Sequence, residues 1–269
     1  MTYIEKFTGT ENARLISKAY VKIKFGYSYS SFEKSQSIKS INLNIRIPVF
    51  EKKIKFFVSS FKKGLSNKEN VFPYEPPTAK NGNSISTGFE YNPWRKKLFN
   101  VNIRAGITTI KKAYLKTYLR TPKIIFKNIS VEIEETARYE SKIFKDEPVL
   151  QDYSRIYLSR LINKTSVLSL LIERSKREED SFNTHFIGLS LSKIVGKSKK
   201  DVVSFSISRT GNKIIGAYPT EYNLSLNNRY KFQRWAYFNA VIGVNWLKYY
   251  HFKNNPYFRF TLEMYFGKW

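Results

Sequence analysis

Segments that alternate apolar and polar side chains along the whole chain predict an all-β protein: a closed, antiparallel up-and-down β-barrel of about 14 strands, with 12 as the alternative. Three observations carry this expectation. The segments share a length of about 9 to 11 residues. Their connections alternate between short and longer. One face of each segment is dry, while the other collects Ser, Asn, Lys, Arg and Gly, and a strand points successive side chains to opposite faces.

In chain order the segments lie near 19–30, 38–47, 52–60, 84–92, 98–107, 113–121, 129–139, 152–162, 165–174, 183–193, 201–209, 219–229, 233–245 and 256–266. In the first, Val21, Ile23, Phe25, Tyr27 and Tyr29 oppose Lys22, Lys24, Gly26 and Ser28. In the second, Ile41, Leu43, Ile45 and Ile47 oppose Ser40, Asn42, Asn44 and Arg46. Phe99, Val101, Ile103, Ala105 and Ile107 oppose Asn100, Asn102, Arg104 and Gly106; Val203, Phe205 and Ile207 oppose Ser204, Ser206 and Ser208. In the last, Phe258, Phe260, Leu262, Met264 and Phe266 oppose Tyr257, Arg259, Thr261, Glu263 and Tyr265. Two segments depart from the pattern. Glu135 falls on the dry parity, for which a β-bulge after Glu134 or a shifted register is the expected cause, and 152–162 reads as changing parity, with Tyr153 and Ile156 both on the dry side.

Connections such as PVFEK, NPWRKK, LINKT, VGKSKKD and YKFQR are compact. Those between them, including SKIFKDEPVLQ, REEDSFN, GNKIIGAYPTE, LKYYHFKNN and the stretch from Lys62 to Asn83, tend to be longer, although TPKIIFK on the compact side is as long as REEDSFN. Residues 1–18 precede the first strand as a lead-in or interior segment, and 19–269 form the barrel domain. The opening MTYIEKFTGTENARL has no apolar h-region, so an exported form of this chain is expected to be a mature one.

A soluble sandwich gives the same alternation with its dry face turned to a core. The uniform strand length, the charges at mid-strand and the aromatics at strand ends favour a dry face turned to lipid, since rings with a polar handle prefer membrane interfaces. Trp94, Phe99, Tyr230 and Trp235 gather at one expected rim; Tyr139, Tyr153, Trp246, Tyr249, Tyr250 and Tyr257 gather at the other. Aromatic residues are 16% of the chain, which suits strands and such girdles. Without cysteine the chain has no disulfide and no thiolate metal site, and its lack of a long apolar run excludes a spanning helix.

The closing residues resemble the terminal strand of bacterial outer-membrane β-barrels. Phe260, Leu262, Met264 and Phe266 match its alternating pattern, which implies an assembly signal read by the outer-membrane barrel assembly machinery; the departure is the GKW that follows, which leaves Phe266 or Trp269 as the final aromatic. The stretch RYKFQRWAYFNAVIGVNWLKYYHFKNNPYFRFTLEMYFG is similar, over about forty residues, to the end of an uncharacterised proteobacterial outer-membrane family of single-domain barrels, from which no catalytic position carries over. The resemblance implies a location in the bacterial outer membrane, among lipids and lipopolysaccharide.

With 47 Lys and Arg against 21 Asp and Glu, the formal charge of +26 favours anionic partners. With the dry face outside, the interior carries Lys22, Lys24, Arg46, Lys53, Lys55, Arg104, Lys116, Arg120, Arg138, Arg155, Arg229 and Arg259, opposed by Glu90, Glu132, Glu134, Glu173 and Glu263. Such a lining concentrates anions, and arginine adds bidentate recognition of carboxylate or phosphate. The expected function is passive passage of small anionic solutes or acidic oligosaccharides, the latter sliding past Tyr118, Tyr157 and Tyr237. The rival is a non-conducting structural or surface-interaction barrel, with the 62–83 loop as a plug.

An enzyme is not expected. A barrel lipase needs Ser and His in register on its outer wall, and His185 has no serine two residues on, while His251 has no evident partner. No cofactor and no metal are expected either, since two histidines without a carboxylate cluster at ligand spacing make no transition-metal site. Lys and Arg interleaved with aromatics also suit nucleic acid, but here they are spread over all strands rather than gathered in one stripe, so no nucleic-acid partner is expected.

Overall fold

The computed structural model describes residues 20–32, 34–50, 54–62, 83–95, 100–108, 112–121, 124–142, 145–177, 182–195, 201–212, 219–233 and 235–267. The strands are β1 (Tyr20–Ser30), β2 (Lys34–Phe50), β3 (Ile54–Lys62), β4 (Asn83–Arg95), β5 (Asn100–Thr108), β6 (Lys112–Arg120), β7 (Ile124–Phe126), β8 (Ile129–Lys142), β9 (Lys145–Asn163), β10 (Ser166–Arg177), β11 (Phe182–Val195), β12 (Asp201–Asn212), β13 (Pro219–Gln233), β14 (Ala236–Leu247) and β15 (Asn254–Gly267). Each of the expected segments has its strand.

The additional strand, β7, pairs with Ile129–Val131 of β8, while β6 pairs with Glu134–Lys142 of the same strand. β6 and β7 are therefore successive pieces of one stave, which makes 14 staves and not 12. The β1–β15 ladder runs from Tyr20↔Gly267 to Ser30↔Tyr257, and the β6–β8 pairing joins the two ends of the remaining order. The ring closes, and every stave pairs with a neighbour on each side, a condition for placing strands in hydrocarbon.

Polarity decides which side is out. Phe89 is 55% exposed and its neighbour Glu90 2%; Leu226 is 42% exposed and Asn227 0%. The same inversion recurs along β11, where Ile187, Leu189 and Leu191 are exposed while Ser190 and Ser192 are buried. A protein that folds in water puts these groups the other way round. One closed layer with a dry exterior and a polar interior leaves no second sheet for the dry face to pack on, which excludes the sandwich and fits a barrel in lipid.

Both strand ends nearest the chain termini, Tyr20 and Gly267, lie at one rim, together with the hairpin turns at Lys127–Asn128 and Lys164–Thr165. The opposite rim takes the strand ends Ser30 and Lys34, the strand ends Lys62 and Asn83 and a 3₁₀ turn at Lys248–Tyr250. The expectations for residues 1–18, for the 62–83 loop as a plug and for Phe99 lie outside the described residues, as does that for the Trp94 side chain.

Several local expectations are corrected. β9 keeps one parity throughout: Arg155, Tyr157 and Ser159 are buried inside, Ile156 is outside, and Tyr153 points inward, where its hydroxyl donates to Glu173 Oε1 at 2.8 Å. Tyr257 also points inward, hydrogen-bonded to Asn223, so neither tyrosine belongs to the outer aromatic rim. No register shift occurs near Glu134; the irregularity in that ladder lies between Glu140 and Lys142, and Glu135 stands on the outward face. Most of SKIFKDEPVLQ is strand, because β8 and β9 go on pairing into it as far as Lys142↔Lys145.

Candidate functional site

The interior is the site, and strand register determines which charges meet. One ladder row runs across four neighbouring staves as Arg120↔Glu134↔Arg155↔Glu173. Signs alternate along it: Arg155 Nη2 lies 3.3 Å from Glu134 Oε1 and its Nε 3.3 Å from Glu173 Oε1, while Arg120 turns aside to Glu132, two residues along β8 from its row partner, and donates from Nη2 to Oε1 at 2.8 Å. Tyr153 completes it, its hydroxyl accepting from Arg155 Nε at 2.9 Å. A row of this kind ties staves together and leaves little net field.

Another row behaves differently. Glu90↔Arg104↔Lys116↔Arg138 sets three cations directly opposite one another on β5, β6 and β8. Like charges in directly opposed positions destabilise a sheet. Carboxylates hold only the outer two: Arg104 Nε donates to Glu90 Oε2 at 2.8 Å, and Arg138 Nε lies 3.2 Å from Glu140 Oε2. Lys116 sits between the two guanidinium-bearing residues, its ammonium 5.7 Å from the Tyr118 ring centre; among the described residues no carboxylate oxygen lies within ion-pair distance of it. Arg138 stacks over Tyr114 at 4.5 Å, and Arg104 over Phe57 at 5.5 Å.

The seam between β1 and β15 has its own centre. Glu263, 1% exposed, faces Lys22 at 3.3 Å, Lys24 at 3.9 Å and Arg229 at 3.4 Å, and accepts from the Tyr265 hydroxyl at 3.1 Å. One carboxylate thus joins β1, β13 and β15. Arg229 also lies over the Tyr237 ring at 4.1 Å.

Across the lumen from β3–β6, the middle of β11–β14 presents hydroxyls and amides in place of charges. Serines bond across the ladders, Ser192 to Ser204 at 2.8 Å and Ser206 to Ser225 at 2.7 Å. Gly243 in this wall has a reason. A Cβ there would come within 2.7 Å of the Tyr257 ring, which passes over β14 to reach Asn223 on β13, whose Nδ2 donates to the Tyr257 hydroxyl at 3.0 Å.

No family model and no curated protein matches the chain. Solved structures do. OprB of Pseudomonas putida is similar at 10% identity and a TM-score of 0.58, over 96% of this chain and 97% of that one. A loop-L8-deleted form of OmpT, an outer membrane protein of Vibrio cholerae, is similar at 9% identity and a TM-score of 0.56, over 92% and 98%. An anion-selective porin from Comamonas acidovorans is similar at 9% identity and a TM-score of 0.54, over 92% and 98%.

The fold is that of a bacterial outer-membrane barrel.

Of the expected lumen cations, this barrel brings Lys22, Lys24, Lys55, Arg104, Lys116, Arg120, Arg138, Arg155, Arg229 and Arg259 into its interior. Arg46 is paired in register with the inward-facing Phe57, though its side chain is outside the described ones, and Lys53 lies outside the described residues. All five expected carboxylates point inward. Glu140, Glu221 and Lys231 do so too and were not foreseen, so the interior is less one-sided in charge than the sequence reading holds. Tyr157 is 1% exposed, packed with Leu171 and Phe186, and cannot act as a sliding surface for a solute; Tyr237 is likewise buried, under Arg229 and Lys231. The terminal-strand residues Phe260, Leu262, Met264 and Phe266 share the outward face, where Trp235 stacks on Phe266 and Phe238 on Phe260. His185 is exposed on the outward face in register with Arg174, and His251 is exposed in the turn after Tyr250.

Proposed function

We propose that this barrel is an outer-membrane channel that passes small anionic solutes, acidic oligosaccharides among them, and that it is not an enzyme. The observation that carries the reading is the Arg104–Lys116–Arg138 row. A row of like charges at strand spacing is a cost to folding unless an anion offsets it, and the row of alternating sign four residues along β6 is what the same wall looks like where ions serve the structure alone. Arg104 in this row and Arg120 in the row of alternating sign keep more than a quarter of their side chains accessible and are within reach of a solute, while Arg138 is buried and adds its charge to the wall behind them. Transport is passive, with selectivity set by the field of the lining.

The second reading, a non-conducting structural barrel, draws on the burial of inward side chains in β9–β15, such as Tyr157 and Asn227. Reversal potential across a planar bilayer under a salt gradient separates the two. Anion preference, reduced in R104A/K116A, supports the channel; a cation preference refutes its selectivity, and absence of conductance from folded, inserted protein supports the structural barrel.

The terminal strand completes the proposal. Its outward aromatic row is the feature offered to the barrel assembly machinery, with Phe266 as the last aromatic, since Phe266 keeps the parity of Phe260, Leu262 and Met264.

A further inference from the structure

The exterior is not uniform. Around β14, β15 and β1 its outward side chains are apolar or aromatic, from Ala236 to Trp246 on β14, from Phe258 to Phe266 on β15 and from Phe25 to Tyr29 on β1. On β8–β11 a ladder row on that same outward face reads Glu135↔Ser154↔Arg174↔His185. Asp152 and Lys176 form the next outward pair along β9 and β10, and Arg209 projects outward from β12 two residues before Gly211, which pairs with His185. Arg174, Lys176, His185 and Arg209 are exposed. Glu135 is held from one side, accepting from Ser154 Oγ at 2.9 Å.

The level of this row identifies its surroundings. Arg174 stands eight residues along β10 from Ser166, beside the turn on the rim that holds the chain ends. A rise of about 3.3 Å per residue and a tilt of about 40° put it about 20 Å above that turn, and Lys176 and His185 about 25 Å above theirs, which is the upper edge of a band about 25 Å tall. Going round the ring at the level of Arg209, the register continues to Tyr222 and Trp246. One boundary is therefore aromatic along β13 and β14 and cationic along β10 to β12. Exposed guanidinium and ammonium groups at that boundary match phosphate, which arginine takes bidentately.

We propose that the outward face of β10–β12 is a binding surface for the phosphate groups of an outer-leaflet glycolipid of the lipopolysaccharide type, held by Arg174, Lys176 and Arg209, with Ile187 beside Arg209 and Leu189 and Leu191 below it against the acyl chains. The carboxylates of Glu135 and Asp152 bound the surface on its β8–β9 side and set where the headgroup stops. This assignment is independent of whether the lumen conducts.

The test uses the full-length barrel in detergent micelles, with diphosphoryl lipid A, its dephosphorylated form and inorganic phosphate as probes, and native mass spectrometry as readout. Diphosphoryl lipid A is expected to bind, the dephosphorylated form at least tenfold more weakly, and inorganic phosphate in millimolar amounts is expected not to displace it. R174A/K176A/R209A should weaken binding at least tenfold, whereas R160A/K193A, at the other boundary of the same face, should leave it unchanged. Should the triple variant fail to fold, the single variants R174Q and R209Q, each checked by heat modifiability, carry the test with a severalfold loss. Equal binding of the dephosphorylated lipid, displacement by inorganic phosphate, or undiminished binding by the folded variants would overturn the proposal.

Discussion

Replacing Glu263 by glutamine keeps the volume of the side chain and removes a buried carboxylate that faces Lys22, Lys24 and Arg229. Truncating one partner of a buried ion pair costs about 3–5 kcal/mol, because the other charge stays buried. Lys22 and Arg229 keep 15% and 16% of their side chains accessible and can recover some hydration, so the lower figure applies. A loss of about 3 kcal/mol is roughly a 150-fold shift toward the unfolded chain. Urea titration of the barrel refolded into lipid vesicles, followed by the heat-modifiable gel band, measures it. The same substitution removes a negative charge from the lumen, so anion preference should rise while stability falls. A loss under about 0.5 kcal/mol, as for a solvated surface pair, would show that Glu263 does not hold the seam and refute the reasoning.

Other outcomes follow from the same geometry. Gly243→Ala should press on the Leu224 carbonyl oxygen and displace the Tyr257 ring from its bond to Asn223, costing about 1–3 kcal/mol in the same titration. Gly26→Val should prevent β1 from pairing with β15, since a Cβ at Gly26 would lie 2.2 Å from the Phe260 carbonyl oxygen; no heat-modifiable band should form. Phe266→Ala should lower the amount of folded barrel recovered from cell envelopes, while the variant refolded in detergent melts close to the wild type.

Much of the fold was legible because a barrel in lipid leaves a strong period-2 signal: each residue between the interfaces must suit either hydrocarbon or the interior. The signal fails where that constraint ends. β7, with Ile124, Ile125 and Phe126 in succession, has no alternation to read. The β8–β9 hairpin passes beyond the band, so Lys142, Lys145 and Asp146 occupy strand positions without opposing dry residues. Tyr153 was misplaced because tyrosine suits both a membrane interface and a polar interior. Parity did name the interior cations, since it needs only one strand at a time. The Glu263 centre and the Arg104–Lys116–Arg138 row depend on register between strands, which for β1 and β15 joins residues more than two hundred positions apart. Register also gave Glu135 and His185, isolated polar residues on a dry face in the sequence, a common row with Ser154 and Arg174.

The orientation of the two faces bears everything else, and the lack of native cysteine makes it directly measurable. Single cysteines placed in turn at positions 224 to 229 of β13, each carrying an environment-sensitive fluorophore in bilayers with brominated acyl chains, should be quenched at Leu224, Leu226 and Asn228 and spared at Ser225, Asn227 and Arg229. Quenching at the odd positions, or equal quenching at all six, would contradict a barrel with its dry face in lipid.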